Sequence, residues 1–275
     1  MNILVLMRSA FLTHSVGLAI LTVLGLLGCA SGGGSSDGAP RPDLVTASDE
    51  SDVRKRARLR LELASAYFEQ GQTNFALDEV KQAIAVDPSF PETYSLRGLI
   101  YMRMNEPRLA DESFQRALTL SPRDPDTSHN YAWMLCQQAR YPQSMQSFQV
   151  ALARPTYPGR AKTLMAMGIC QARAGQLDEA ERSLARSYEL DAGNPVTGYN
   201  LSALLFRRGE FTRAQFYIRR INNSELANAE SLWLGIKVER RVDDRVAMLQ
   251  LADQLKRRYP QSREFAAYER GNFDE

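Results

Sequence analysis

Small residues and bulky apolar residues recur along this chain at a spacing of about 34 residues. Ala64, Tyr67, Gly71, Ala76, Ala83 and Pro88 mark a first unit, and Gly98, Tyr101, Ala110, Phe114, Ala117 and Pro122 a second. Ala132, Leu135, Phe148 and Ala151 form a third, and Gly168, Gly175, Ala180 and Leu184 a fourth. Leu201, Ser202, Leu205, Gly209 and Ala214 form a fifth, and Gly235, Val238, Ala247 and Leu251, with Tyr259-Pro260 behind them, a degenerate sixth. A unit of that length cannot bury its own apolar face, so the units must stack in file, each on its neighbours. A chance bundle of amphipathic helices would show the 3.6-residue period without this longer register.

The register resembles the tetratricopeptide pattern, two antiparallel helices per unit, A then B. Its small residues have a mechanical purpose: Ala or Gly facing the partner helix lets A and B approach closely, bulky residues fill the gaps between them, and Pro stops helix B. The expected fold is therefore all-α, a tetratricopeptide-repeat superhelix of about six helix pairs over residues 53–275. In such arrays the A helices line a concave side. Projecting each unit onto the pattern places Leu61 and Phe68 there, then Leu99 and Met102, His129 and Trp133, Met165 and Ile169, and Tyr199 and Phe206. So apolar a surface is expected to be a partner-binding groove, for a helix or an extended segment. The alternative for any one of these residues is packing beneath the neighbouring A helix.

The N-terminus reads as an address. Arg8 and His14 precede an apolar run from about Val16 to Leu27, shorter than the ~20 residues of a membrane span. The run ends in Leu26-Leu27-Gly28-Cys29, which resembles a bacterial lipobox. That resemblance implies a signal peptide over 1–28, a lipidated Cys29 as the mature terminus and, with Ala30 behind it, sorting to the periplasmic face of the outer membrane. An ordinary signal peptide or an uncleaved anchor are the alternatives, and Met7 offers a second start. Residues 29–52 are rich in Gly, Ser, Pro and Asp and read as a flexible tether with a reach of roughly 25–30 Å.

Composition removes other functions. Net charge is +2 and basic residues are scattered among acids, which argues against nucleic acid as a partner. Two histidines, one of them His14, and three cysteines without CxxC spacing argue against a metal site. There is no phosphate-binding Gly loop, no Ser elbow and no clustered acidic pair outside the repeat faces, so no enzyme and no cofactor are expected.

His129 and Cys136 could suggest a nucleophile and its base. Seven residues of helix set them ~10.5 Å apart along the axis, whereas such a pair needs about 2.6–3.2 Å. His129 is instead expected as a polar contact in the groove. Cys136 has a better partner in Cys170, one repeat period on. The two sit two positions apart in helix register, hence ~200° apart, so that one faces forward and the other backward into the same A–A interface. Helices packed at about 8–10 Å leave roughly 4–6 Å between facing Cα atoms, and a disulfide needs about 4.4–6.8 Å. A secreted compartment permits the bond, and it would contribute roughly 3–4 kcal/mol in the chain-entropy account. Two buried free thiols are the alternative.

Asn130-Tyr131-Ala132-Trp133-Met134-Leu135-Cys136-Gln137-Gln138 resembles the NYGWFLCQQG-type motif of the type IV pilus biogenesis and stability lipoproteins, the PilF/PilW family. Ala153-Arg154-Pro155-Thr156-Tyr157-Pro158 and Met167-Gly168-Ile169-Cys170 resemble that family's following segments. Ala132 and Ala139 stand where the family usually has Gly, and the tether and last unit diverge. The resemblance implies an outer-membrane scaffold that assists localisation or multimerisation of the pilus secretin, or pilus stability. It also implies a cysteine pair at these two places. The rival reading is a repeat lipoprotein serving an envelope protease or an outer-membrane protein assembly machine. Oligomeric state is not legible.

Overall fold

The computed structural model describes residues 49–273, within which there are thirteen helices and no strand. The signal segment, Cys29 and most of the tether lie outside the described residues. The A–B pairs are α1 (Asp52–Glu69) with α2 (Thr73–Val86), α3 (Pro91–Arg103) with α4 (Pro107–Leu120), and α5 (Pro125–Gln137) with α6 (Tyr141–Leu152). Then come α7 (Arg160–Arg173) with α8 (Leu177–Leu190), α9 (Pro195–Arg207) with α10 (Phe211–Asn222), and α11 (Ala229–Arg241) with α12 (Arg245–Arg258). A short α13 (Arg263–Glu269) closes the array and packs on both α11 and α12. The chain is an all-α tetratricopeptide-repeat superhelix.

Local chemistry sets the boundaries. Proline opens α3, α4, α5 and α9, where its missing N–H costs nothing. Asp124 caps α5 by accepting from the Thr127 N–H at 2.7 Å, and Asn228 with Ser231 forms a capping box on α11. Each A helix ends in a left-handed residue that turns the chain into helix B: Gly71, Asn105, Ala139, Gly175, Gly209 and Asp243. Glycine adopts that conformation freely, whereas Ala139 holds φ +57 against its own Cβ.

Small residues bring A onto B. A Cβ on Gly168 would lie 2.7 Å from Leu184 Cγ and 3.1 Å from the Ala180 carbonyl oxygen, so α7 meets α8 at a distance only glycine permits. Ala64, Ala76, Ala110, Ala132, Ala180 and Ala214 are fully buried along the same seam. The core is a file of linked clusters, as stacking of units requires.

The third and fourth units are joined by a longer connection. Its Tyr157 hydroxyl donates to Asp126 Oδ1 at 2.8 Å and ties the loop to the first turn of α5. Burial, and secondarily that carboxylate, push the Tyr157 hydroxyl up to about 12. The degenerate sixth unit folds as a full pair. Its unusual feature is polar: Glu239 of α11 is fully buried and accepts from Arg219 Nε at 2.7 Å and Gln215 Nε2 at 2.7 Å.

Candidate binding groove

Successive A helices touch one another along the array, α1 on α3, α3 on α5, α5 on α7, α7 on α9 and α9 on α11. The B helices are splayed by comparison, so the A side is the inner one. Leu61, Phe68, Leu99, Met102, Trp133, Met165, Ile169, Tyr199 and Phe206 are all half-buried. Each packs its base against the core while leaving part of its surface to solvent. Cations sit over several of their rings. Arg103 lies 3.6 Å from the Phe68 centroid, Arg173 5.2 Å from Trp133 and Lys237 5.8 Å from Phe206.

His129 is a correction to the expected groove. It is 6 % exposed, with Nδ1 2.9 Å from Thr163 Oγ1 and its ring edge-on to Phe148 at 6.1 Å. These two contacts draw the ring back into the interface of α5, α6 and α7. Burial, assisted by Lys162 and opposed by Asp126, lowers its pKa from 6.5 to about 4. It is a neutral interior residue near pH 7 and presents almost no surface to the groove.

Cys136 and Cys170 are disulfide-bonded, with Cα atoms 5.8 Å apart. The bond crosses from α5 to α7 beside Ser144, whose hydroxyl donates to the Ala132 carbonyl at 2.7 Å and lies 3.4 Å from Cys170 Sγ. Both sulfurs are buried, so the bond is a staple under the groove floor at Trp133.

The groove opens into a cleft of about 710 Å³ between α9, α11 and α13. Tyr199 and Phe206 reach it from α9, Trp233 and Lys237 from α11, and Phe273 from behind α13. The rings of Trp233 and Phe273 meet at a tilt with centroids 5.3 Å apart, and Arg240 lies 4.1 Å from the Phe273 centroid. The sequence projection stopped one unit short of this cleft. Trp233 stands one period after Tyr199, so the register itself would have found it. Phe273 and α13 carry no repeat signal.

The descriptions "TPR repeat" and "tetratricopeptide repeat" match residues 64–105 and 91–124. The Type IV pilus assembly protein PilF of Pseudomonas aeruginosa is 26 % identical over 258 residues, spanning 94 % of this chain and 99 % of that protein. This tetratricopeptide-repeat chain is similar to a type IV pilus assembly protein over nearly its whole length. The crystal structure of PilW, a "widely conserved type IV pilus biogenesis factor", superposes with a TM-score of 0.72 at 28 % identity, covering 78 % of this chain and 98 % of that one. The structure of Pseudomonas aeruginosa PilF gives a TM-score of 0.72 at 27 % identity over 79 % of this chain and 99 % of its own. Among the described residues no helix is long and apolar enough to cross a membrane.

Proposed function

We propose that this chain is an outer-membrane lipoprotein scaffold for type IV pilus assembly. Cys29 carries the lipid after removal of residues 1–28, residues 29–52 are the tether, and the repeat array works at the periplasmic face. The groove holds a segment of the pilus secretin, or of another assembly protein, and so assists secretin localisation and multimerisation or pilus stability. The observation that carries the reading is similarity to PilF along 94 % of the chain, together with a half-buried apolar inner face of the kind such arrays use for partners. A scaffold acts by binding alone, so no catalytic group and no cofactor enter the mechanism.

Phe68→Ala combined with Trp133→Ala tests the groove. Both side chains are half-buried, so the array should still fold. The expected outcome is fewer secretin oligomers in the envelope and impaired twitching at unchanged helical content. Normal secretin oligomers and normal twitching would sink the groove reading. Co-purification of a protease or a barrel-assembly protein in place of secretin would favour the rival adaptor. Cys29→Ala, followed by metabolic palmitate labelling, tests the anchor separately.

A further inference from the structure

The last turn of the A helix carries a repeated cation. Arg103, Arg173, Arg207 and Arg241 occupy the same register position in the second, fourth, fifth and sixth units, with Glu69 and Gln137 in the first and third. All four arginines are exposed. Among the described residues none of them is ion-paired, whereas the neighbouring Arg208 binds Asp178, Glu181 and Glu210. Arg103 and Arg173 lie over the groove rings of Phe68 and Trp133, and Arg207 and Arg241 line the C-terminal cleft. A cation at a helix C-terminus suits the helix dipole, and of the B helices α2, α4, α6 and α8 end without one whereas α10 and α12 end in Arg219-Arg220 and Lys256-Arg257-Arg258. What assigns the row to the groove side is its position over the groove rings and along the cleft.

The cleft at the end of this row has the same sign. Its two carboxylates, Glu230 and Glu264, are both engaged by Arg263, at 3.3 and 2.7 Å. Arg207, Arg241 and Arg270 remain around a floor of Phe206, Trp233 and Phe273 without a carboxylate partner among the described residues. A site with aromatic walls and an unbalanced cationic rim fits a ligand with an apolar anchor flanked by carboxylates.

We propose that the segment held in this groove is an acidic peptide, its carboxylates set against the row of Arg103, Arg173, Arg207 and Arg241 and an aromatic or aliphatic side chain seated in the C-terminal cleft. This rests on the proposed groove reading and specifies its ligand. Apolar burial in the cleft supplies holding power, and the arginine row supplies direction and steering, which fall as salt rises.

The test uses the purified full-length chain with Trp133 and Trp233 both in place. A short fluorescein-labelled synthetic peptide alternating Glu with Leu and Phe is titrated against it, beside versions with Gln or Lys in place of Glu. The Glu peptide should gain fluorescence anisotropy and bind about tenfold or more tightly than the Gln peptide, with the advantage shrinking in high salt. Arg173→Glu, Arg207→Glu and Arg241→Glu together should reverse the preference to the Lys peptide, a gain that misfolding cannot imitate. Equal binding of Glu and Gln peptides would overturn the proposal. So would binding of phosphatidylglycerol vesicles with no binding of peptide, which would assign the row to lipid headgroups. Binding of the Glu peptide only after Asp274→Asn and Glu275→Gln would assign the cleft to the chain's own end, and a titratable dimer in its place would assign it to a second copy. Lost secretin oligomers in the Phe68 and Trp133 variant, with no peptide preference here, would sink this proposal and leave the groove reading standing. A clear preference with normal secretin would do the reverse.

Discussion

The joint between the third and fourth units and the joint between the fifth and sixth solve one problem with different chemistry. The first is buried and covalent: a disulfide from α5 to α7, His129 against Thr163, and the Ser144 hydroxyl 3.4 Å from Cys170 Sγ. The second is ionic: Glu239 is fully buried and gripped by Arg219 and Gln215, with Arg219 reaching on to Asp244 at 2.8 Å. The disulfide acts mainly on the unfolded chain and leaves the groove floor at Trp133 fixed. The ionic joint depends on every partner being present, because a buried carboxylate without its cation is costly. The contrast teaches that the array is covalently fixed behind residues 130–138 and is held by reversible contacts beside its C-terminal cleft.

The largest expected effect breaks the covalent joint. Cys136→Ala with Cys170→Ala, or reduction of the native protein, should cost about 3 kcal/mol, read as a lower urea midpoint. An unchanged midpoint would mean that packing alone holds the third and fourth units. Glu239→Ala comes next, at about 2–3 kcal/mol after allowance for the partly exposed Arg219, and its loss should appear first as hydrogen exchange in α11 to α13. Uniform exchange along the whole array would show that the two joints are not separable.

His129 sharpens the comparison through pH. Its folded pKa of about 4 lies below the 6.5 of the free side chain, so the unfolded state binds the extra proton between those values. Stability is full above pH 6.5 and falls as pH drops towards 4, by about 2 kcal/mol at pH 5. His129→Asn should flatten that part of the pH–stability curve, and a curve as steep as that of the parent would place the titration elsewhere. The smallest effect is favourable. Ala139→Gly relieves the left-handed turn between α5 and α6 and should raise stability by about 0.5–1 kcal/mol in thermal melts.

Much of this was legible in the residues because a repeat states its own geometry many times. Ala64, Gly98, Ala132 and Gly168 announced the A–B seam, and the spacing of Cys136 and Cys170 placed them in one interface. The cleft was less legible. Trp233 obeyed the register, but Phe273 and α13 lie beyond it, and seven residues of helix give no periodic signal. His129 was misplaced because periodicity gives the face of a helix and not the depth at which a side chain settles.

The sequence by itself determined the units, their order, the small residues that let the helices close, and the half-apolar inner face. These follow from local spacing, which recurs whatever the neighbours do. Only the tertiary structure decided which polar groups go inside and which cations lack a carboxylate among the described residues. Thr163 reaches His129, Arg219 reaches Glu239, and Arg263 takes both Glu230 and Glu264, leaving Arg207 and Arg270 on the cleft rim. Those outcomes depend on contacts between units, and a charge is satisfied by whatever lies within about 4 Å of it and not by its place in a repeat.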